Sequence, residues 1–218
     1  MKFFSFWRSL ASFRVRIALN LKNVPTEVIF VDLDANAHRD PEYRKINPQM
    51  ALPALVADDG TTLFQSLAIL EYLDEKHPNP PLLPKGLHAR AHVRALAQMV
   101  AMDAHPLVVP RVRKYLEEKL KLDEPTRNAW LKHWMELGSA ALEEALARSP
   151  AEGRFCNGDT VTIADVCLVP HMTATKMLGG NLAAWPNAAR IFDNCMQLEA
   201  FAAEQPMKQP DAPANPAH

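Results

Sequence analysis

The sequence predicts an α/β domain followed by an all-α domain, and three observations carry that prediction. Over the first third of the 218 residues, short β-rich runs alternate with patterns of helical period. A cluster of prolines, Pro78, Pro80, Pro81 and Pro84, then interrupts any regular structure. From Leu87 onward every long segment repeats its apolar residues at helical spacing. The domains follow as residues 1–82 and 83–218, two units of modest size.

Residues 3–6 read as a strand, and 12–22 as a helix with Val15, Ala18, Leu19 and Leu21 on one face. β-Branched and apolar residues return over 28–33, completing a βαβ unit. A polar stretch over 34–45 reads as loop. Strands over 54–57 and 61–64 flank the Asp59-Gly60 turn, and a helix over 66–76 follows. This order, with Pro53 just before the third strand, is that of a thioredoxin-like domain. Beyond the prolines, helices are expected over 89–120, 124–147 and 163–178, with shorter ones near 187–196 and 199–204, so the second domain reads as a helix bundle. Residues 209–218, rich in Pro and Ala, are expected to fray or drape over the surface.

Charge excludes one class of partner. Lys plus Arg number 24 against 25 Asp plus Glu, so there is no basic field to hold nucleic acid. The 48% apolar and 22% charged residues are those of an ordinary globular chain. Cys156, Cys167 and Cys195 form no CxxC pair and lie far from any His doublet at metal-ligand spacing, so no metal site is expected and a reducing compartment fits. The apolar start is cut by Arg8 before it reaches signal-peptide length, and no apolar run of about 18 residues occurs. A soluble, unexported, cytoplasmic protein without membrane contact is expected.

Four short segments carry chemistry. Ser9 lies in the loop before the first helix, where helix-end amides and the nearby Arg8, Arg14 and Arg16 favour a bound thiolate; Ser12 reads as the N-cap of that helix. A cis Leu52-Pro53 bond would leave the Leu52 backbone open to pair with a short peptide. Gln65-Ser66 starts a helix, with Ser66 as N-cap and an anion site for a carboxylate. Thr162 and Asp165 make a capping box, and Asp165 is read as structural.

Taken together these residues resemble the zeta class of glutathione transferases, which contains maleylacetoacetate and maleylpyruvate isomerases. The likeness runs through Phe6-Trp7-Arg8-Ser9, Arg14-Val15-Arg16-Ile17-Ala18-Leu19, Asn47-Pro48, Leu52-Pro53, Gln65-Ser66-Leu67-Ala68-Ile69, Gly158-Asp159, Ala164-Asp165, Leu168-Val169-Pro170 and the tail Gln209-Pro210-Asp211-Ala212. It implies the glutathione transferase fold and a homodimer. By the resemblance Ser9 activates the glutathione sulfur, Leu52 binds the cysteinyl backbone, and Gln65 and Ser66 take the γ-glutamyl carboxylate. Ser12, Pro53, His38 and His105 would lie beside the tripeptide.

Three departures bear on the second substrate. Ser9-Leu10-Ala11 stands where the family has Ser-Ser-Cys, Val108-Val109 replaces a polar pair, and Met177 replaces an arginine that grips a substrate carboxylate in the isomerases. The glutathione site reads as intact and the acid site as altered. An isomerase of a maleyl-type dicarboxylate in aromatic catabolism, with Arg8, Arg111 and Lys176 as carboxylate-binding cations, is the first expectation. A transferase conjugating or dehalogenating an apolar electrophile is the second, and a non-catalytic docking module the third.

Overall fold

A computed structural model describes residues 1–149, 151 and 153–214. It divides the chain into two units: Met1–Pro81 with Leu198 and the described residues after it, and Leu82–Gln197.

The first unit opens with β1 (Lys2–Ser5), α1 (Leu10–Leu21) and β2 (Glu27–Phe30). A 3₁₀ turn, Ala37–Arg39, leads to α2 (Pro41–Ile46), then β3 (Ala54–Val56), β4 (Thr62–Phe64) and α3 (Ser66–Lys76). The sheet order is β2-β1-β3-β4, with β1 parallel to β2 and antiparallel to β3. Phe4 pairs with Ala54 and Ala54 with Phe64, forming one row across the sheet.

Period two sends alternate residues to opposite faces. Phe4 and Ala54 pack with Val31 and with Tyr43 of α2, while Phe3 and Leu55, both fully buried, face the other way. Ser5 shares the face of Phe3 and receives a hydrogen bond from Arg16 of α1, and α1 packs on α3. The helix α2 falls within the stretch 34–45 that the sequence predicts as loop. Its polar sequence hid it, yet Asp40 caps the Glu42 N–H at 2.8 Å and Pro41 sits at its first position, where the missing N–H costs nothing.

The second unit is helical: α4 (Leu87–Gln98), a π-helical stretch Met99–Ala104, a 3₁₀ turn His105–Leu107, α5 (Pro110–Glu118), α6 (Glu124–Ala147), α7 (Ile163–Met177) and α8 (Pro186–Met196). The sequence predicts one helix over 89–120. Pro106 and Pro110, which donate no backbone hydrogen bond, break it into the pieces just named. The capping box is present: Thr162 donates from its N–H at 2.7 Å and its hydroxyl at 2.8 Å to Asp165, which also accepts the Cys156 N–H at 2.8 Å. Burial pushes this carboxyl above its ordinary range, against donors that pull it down.

The C-terminal segment returns to the first unit. α9 (Glu199–Ala202) packs on α1 with Phe201 fully buried. This corrects the reading that placed everything after residue 83 in the second domain. Nor does the tail fray over its described length: Asp211 accepts the Trp7 N–H at 2.9 Å, and the Gln209 amide donates back to Glu204. Residues 215–218 of that expectation lie outside the described residues. Among the described residues, no helix is long and apolar enough to cross a membrane, and no group of His, Cys, Asp or Glu could hold a metal ion.

Asp165→Ala removes the acceptor of two buried N–H groups, each worth about 1–3 kcal/mol when left unpaired. A loss of about 3 kcal/mol is expected in urea unfolding, as a lower midpoint at unchanged slope, with Asp165→Asn losing less. A change under about 1 kcal/mol would show that water takes over the acceptor role.

Candidate thiol and carboxylate site of the first unit

The row Phe4, Ala54, Phe64 decides which residues meet. The loop after β1, the approach to β3 and the exit from β4 all leave this end of the sheet, bringing Ser9, Leu52-Pro53 and Gln65-Ser66 to a common margin. β2 ends beside Ser5, so the turn holding the half-buried His38 starts from the same end.

Ser9, not Ser12, is the N-cap of α1. Its φ of −70° and ψ of 113° are extended, and its Oγ accepts the Ser12 N–H at 3.2 Å. The hydroxyl proton remains available to donate, at the positive end of the helix. Ser12 lies inside α1 with no surface exposure, and its Oγ has no partner among the described residues. Sequence did not separate the two serines, because either reads as a cap with apolar residues at helical spacing behind it.

Leu52-Pro53 is cis, as is Asn79-Pro80, which the sequence reading did not single out. Leu52 precedes the first paired residue of β3, so it stands outside the ladder. The loop before it is latched from α2. The Tyr43 hydroxyl and the Asn47 side chain both donate to the Ala51 carbonyl, at 2.7 and 2.8 Å, and Asn47 Oδ1 accepts the Gln49 N–H at 3.0 Å. Burial raises the Tyr43 phenol far above its usual value, keeping it a donor.

At the exit from β4, Gln65 rather than Ser66 is the N-cap of α3, with φ +71° and ψ 115°. A non-glycine residue there is uncommon, and such positions gather at ligand-binding sites. Its side-chain amide donates to Gln49 at 2.7 Å, a partner the sequence did not suggest. Ser66 is the first helical residue and nearly buried, and Arg14 Nη1 donates to its Oγ at 3.2 Å. Arg14 is itself 2% exposed. A buried cation under a helix N-terminus with unpaired amides favours a carboxylate.

The carboxylate-binding candidates fare unevenly. Arg8 pairs with Asp34 and lies 5.7 Å from the Phe6 ring centroid, so its charge is already shared. In the second unit, Arg111 on α5 and Lys176 at the end of α7 are exposed, and neither makes an ion pair among the described residues. Met177 is 63% exposed and lines a cavity of about 410 Å³ with Asn128 and Lys132. His105 is half-buried in its 3₁₀ turn, which the Trp130 indole holds by donating to the Leu107 carbonyl at 2.8 Å. Val108, one of the two valines that replace a polar pair, is core, 3% exposed against Leu131 and Met135, so it does not by itself line an apolar second-substrate site.

A thioredoxin-like sheet, a cis-proline opening β3, a serine capping α1 and an anion-ready α3 define the class of glutathione transferases. A family model described as the glutathione S-transferase N-terminal domain matches residues 1–75. A maleylpyruvate isomerase of Ralstonia sp. is 41% identical over 97% of this chain and 100% of its own. The holo structure of a maleylpyruvate isomerase, described as a bacterial glutathione S-transferase in the zeta class, is 40% identical with TM-score 0.94, covering 98% of this chain and 100% of that one. The maleylacetoacetate isomerase of Methylobacterium extorquens AM1, solved with bound malonate and GSH, is 46% identical with TM-score 0.95 and the same coverage. The chain belongs to the zeta class of the glutathione transferase family.

Because Ser9 caps α1, Ser9→Ala is expected to lower stability by about 1 kcal/mol and Ser9→Gly by a few tenths, read by urea unfolding. This separates its structural part from any chemical one. Equal losses for both would show that the Ser12 N–H is satisfied by something else.

Proposed function

We propose that this protein is a glutathione-dependent cis–trans isomerase of a maleyl-type dicarboxylate, such as maleylacetoacetate or maleylpyruvate, with Ser9 as the residue that activates the thiol. The observation that carries the reading is the Ser9 hydroxyl at the N-terminus of α1, in a chain aligned end to end with isomerases of this chemistry. A relative solved with both GSH and malonate, itself a small dicarboxylate, supports the substrate class.

The residues of the first unit fit glutathione. Leu52, outside the ladder, offers its backbone to the cysteinyl residue. Ser66 and the first amides of α3 meet the γ-glutamyl carboxylate, with Arg14 beneath them as counter-charge. Gln65 holds the turn that aims these groups, Pro53 shapes the approach, and His38 and His105 are assigned to the tripeptide by the resemblance alone. When bound, glutathione supplies a thiolate that adds to the cis double bond, lets the resulting single bond turn, and leaves as the trans alkene forms. Ser9 holds the thiolate by donating its hydroxyl proton in a hydrogen bond, and the α1 amides add their partial charge. Arg111 and Lys176, exposed and unengaged, are the cations assigned to the substrate carboxylates; Arg8 joins them only by leaving Asp34.

The transferase reading, conjugation or dehalogenation of an apolar electrophile, is favoured by one specific observation, the exposed thioether of Met177 beside its cavity. The non-catalytic reading has the intact Ser9 cap against it. Cys156 and Cys195 are free thiols, which a reducing compartment allows, and we place the protein in the cytoplasm as a homodimer.

Ser9→Ala is expected to lower turnover about 10²- to 10³-fold while changing glutathione affinity little, and to raise the pKa of the bound thiol, followed as thiolate absorbance against pH. Unchanged rate and unchanged thiol pKa would sink the assignment. Met177→Arg is expected to improve dicarboxylate isomerisation, by at most the roughly 1.5–3 kcal/mol of a charged hydrogen bond less desolvation. Wild type and variant assayed beside a chloro-aromatic electrophile decide between the two enzymes: inactivity of both on the acids, with conjugation intact, replaces the isomerase by the transferase.

A further inference from the structure

The tail Gln209-Pro210-Asp211-Ala212 has no part in the chemistry above, yet its carboxylate reaches the loop that carries Ser9. Asp211 Oδ2 accepts the Trp7 N–H at 2.9 Å, from 204 residues away along the chain. A turn closed by the Ala212 N–H on the Gln209 carbonyl presents it.

The same loop is gripped from α1. Arg16 donates to the Phe6 carbonyl at 3.3 Å and to the Trp7 carbonyl at 3.1 Å, while the Ser9 N–H closes on Phe6 at 3.0 Å. Arg16 is 5% exposed, and its guanidinium is held in turn by the C-terminal segment: it donates to the Glu204 carbonyl at 3.2 Å and pairs with the Glu204 carboxylate at 3.5 Å. Burial lowers its pKa to about 10, with Glu204 and Asp211 acting to raise it. The backbone groups of Phe6 and Trp7 thus take their partners from Arg16, Asp211 and Ser9 itself. Arg8, next before Ser9, forms a half-exposed pair with Asp34 and lies over the Phe6 and Trp7 rings.

We infer that Asp211, acting with Glu204 through Arg16 and the Trp7 amide, is a positioning residue that sets the direction of the Ser9 hydroxyl. The inference rests on the reading of Ser9 as the thiol-activating residue. A hydrogen bond to a thiolate must be held within about 0.5 Å to keep its worth, and the cap that Ser9 Oγ makes with the Ser12 N–H at 3.2 Å is only as well placed as the loop backbone that carries Ser9.

The sign of the effect separates positioning from field. Removing a nearby negative charge would by itself ease thiolate formation and lower the thiol pKa; misdirecting the Ser9 donor raises it. The full-length protein with glutathione is compared as wild type, Asp211→Ala, Asp211→Asn, Ser9→Ala and the Ser9→Ala/Asp211→Ala pair. For Asp211→Ala we expect the bound-thiol pKa to rise, turnover to fall about tenfold, a loss of one well-placed donor in part, and the KM for glutathione to stay within about threefold. The Trp7 amide, followed by hydrogen exchange without ligand, should exchange at least tenfold faster, as a broken bond allows. Asp211→Asn keeps an oxygen acceptor and should restore both thiol pKa and exchange. In the Ser9→Ala background, Asp211→Ala should shift the thiol pKa no further.

An unchanged or lowered thiol pKa in Asp211→Ala, with Ser9→Ala still raising it, overturns the inference and leaves Ser9 standing. So does an equal rise in both backgrounds. If Ser9→Ala itself fails to move the pKa, the reading of Ser9 falls and takes this inference with it, a separate and recognisable result. Should Asp211→Ala not fold, Asp211→Ser, whose shorter side chain cannot reach the amide as well, carries the same readouts.

Discussion

β1 lies between β2 and β3, parallel to one and antiparallel to the other. That mixed pairing sends the end of β1, the start of β3 and the end of β4 to a single margin, because an antiparallel neighbour begins where its partner finishes. Ser9, Leu52 and Gln65 share a margin for this reason and no other. A slip of one residue along β3 would turn Ala54 and Leu55 to the wrong faces and carry Pro53 away from the row, so the buried packing of Phe4, Ala54 and Tyr43 also guards the site.

Three cations of the first helix region are buried, against the usual habit of such residues. Lys22 donates to Asp74 at 2.6 Å and to the His77 carbonyl at 2.7 Å, tying the end of α1 to the end of α3. Arg14 meets Ser66 at the beginning of α3, and Arg16 meets Glu204. A buried ion seldom adds net stability, since desolvation offsets most of its attraction. What the three supply here is placement: each fixes one end of one element against α1, and removing a partner would strand a charge away from water. The helix that bears the thiol-activating serine is thereby the reference to which the other elements of its unit are set.

Much of this could be read from residues in order. The strands, the Asp59-Gly60 turn and the full extent of α3 followed from period and turn chemistry, and Pro53 marked its own importance through its place before a strand. What stayed hidden has physical causes. In α2 only Tyr43 and Ile46 are apolar enough to signal a buried face, so its helical character comes from its cap and from packing. The break near Pro106 and Pro110 was overridden by the strong helical period on either side. Gln65 adopts positive φ although nothing in a glutamine announces it. The buried arginines look like surface residues by hydropathy; Arg14 meets Ser66 far along the chain, and the partner of Arg16, Glu204, lies just before a tail whose proline-rich composition suggests disorder.

The first unit is discontinuous: its sheet and helices are complete by residue 81, while the segment that latches the loop before Ser9 follows the whole helical unit. Chains emerge from the ribosome N-terminus first, at about 5–20 residues per second, and domains tend to fold as they appear. During synthesis the sheet can therefore form well before its loop is secured, and Arg16 waits with no counter-charge from Glu204. The helical unit is made in that interval. A nascent chain can be folded in its larger parts and still lack the loop geometry at the margin where the chemistry sits, until the residues after Leu198 have been made.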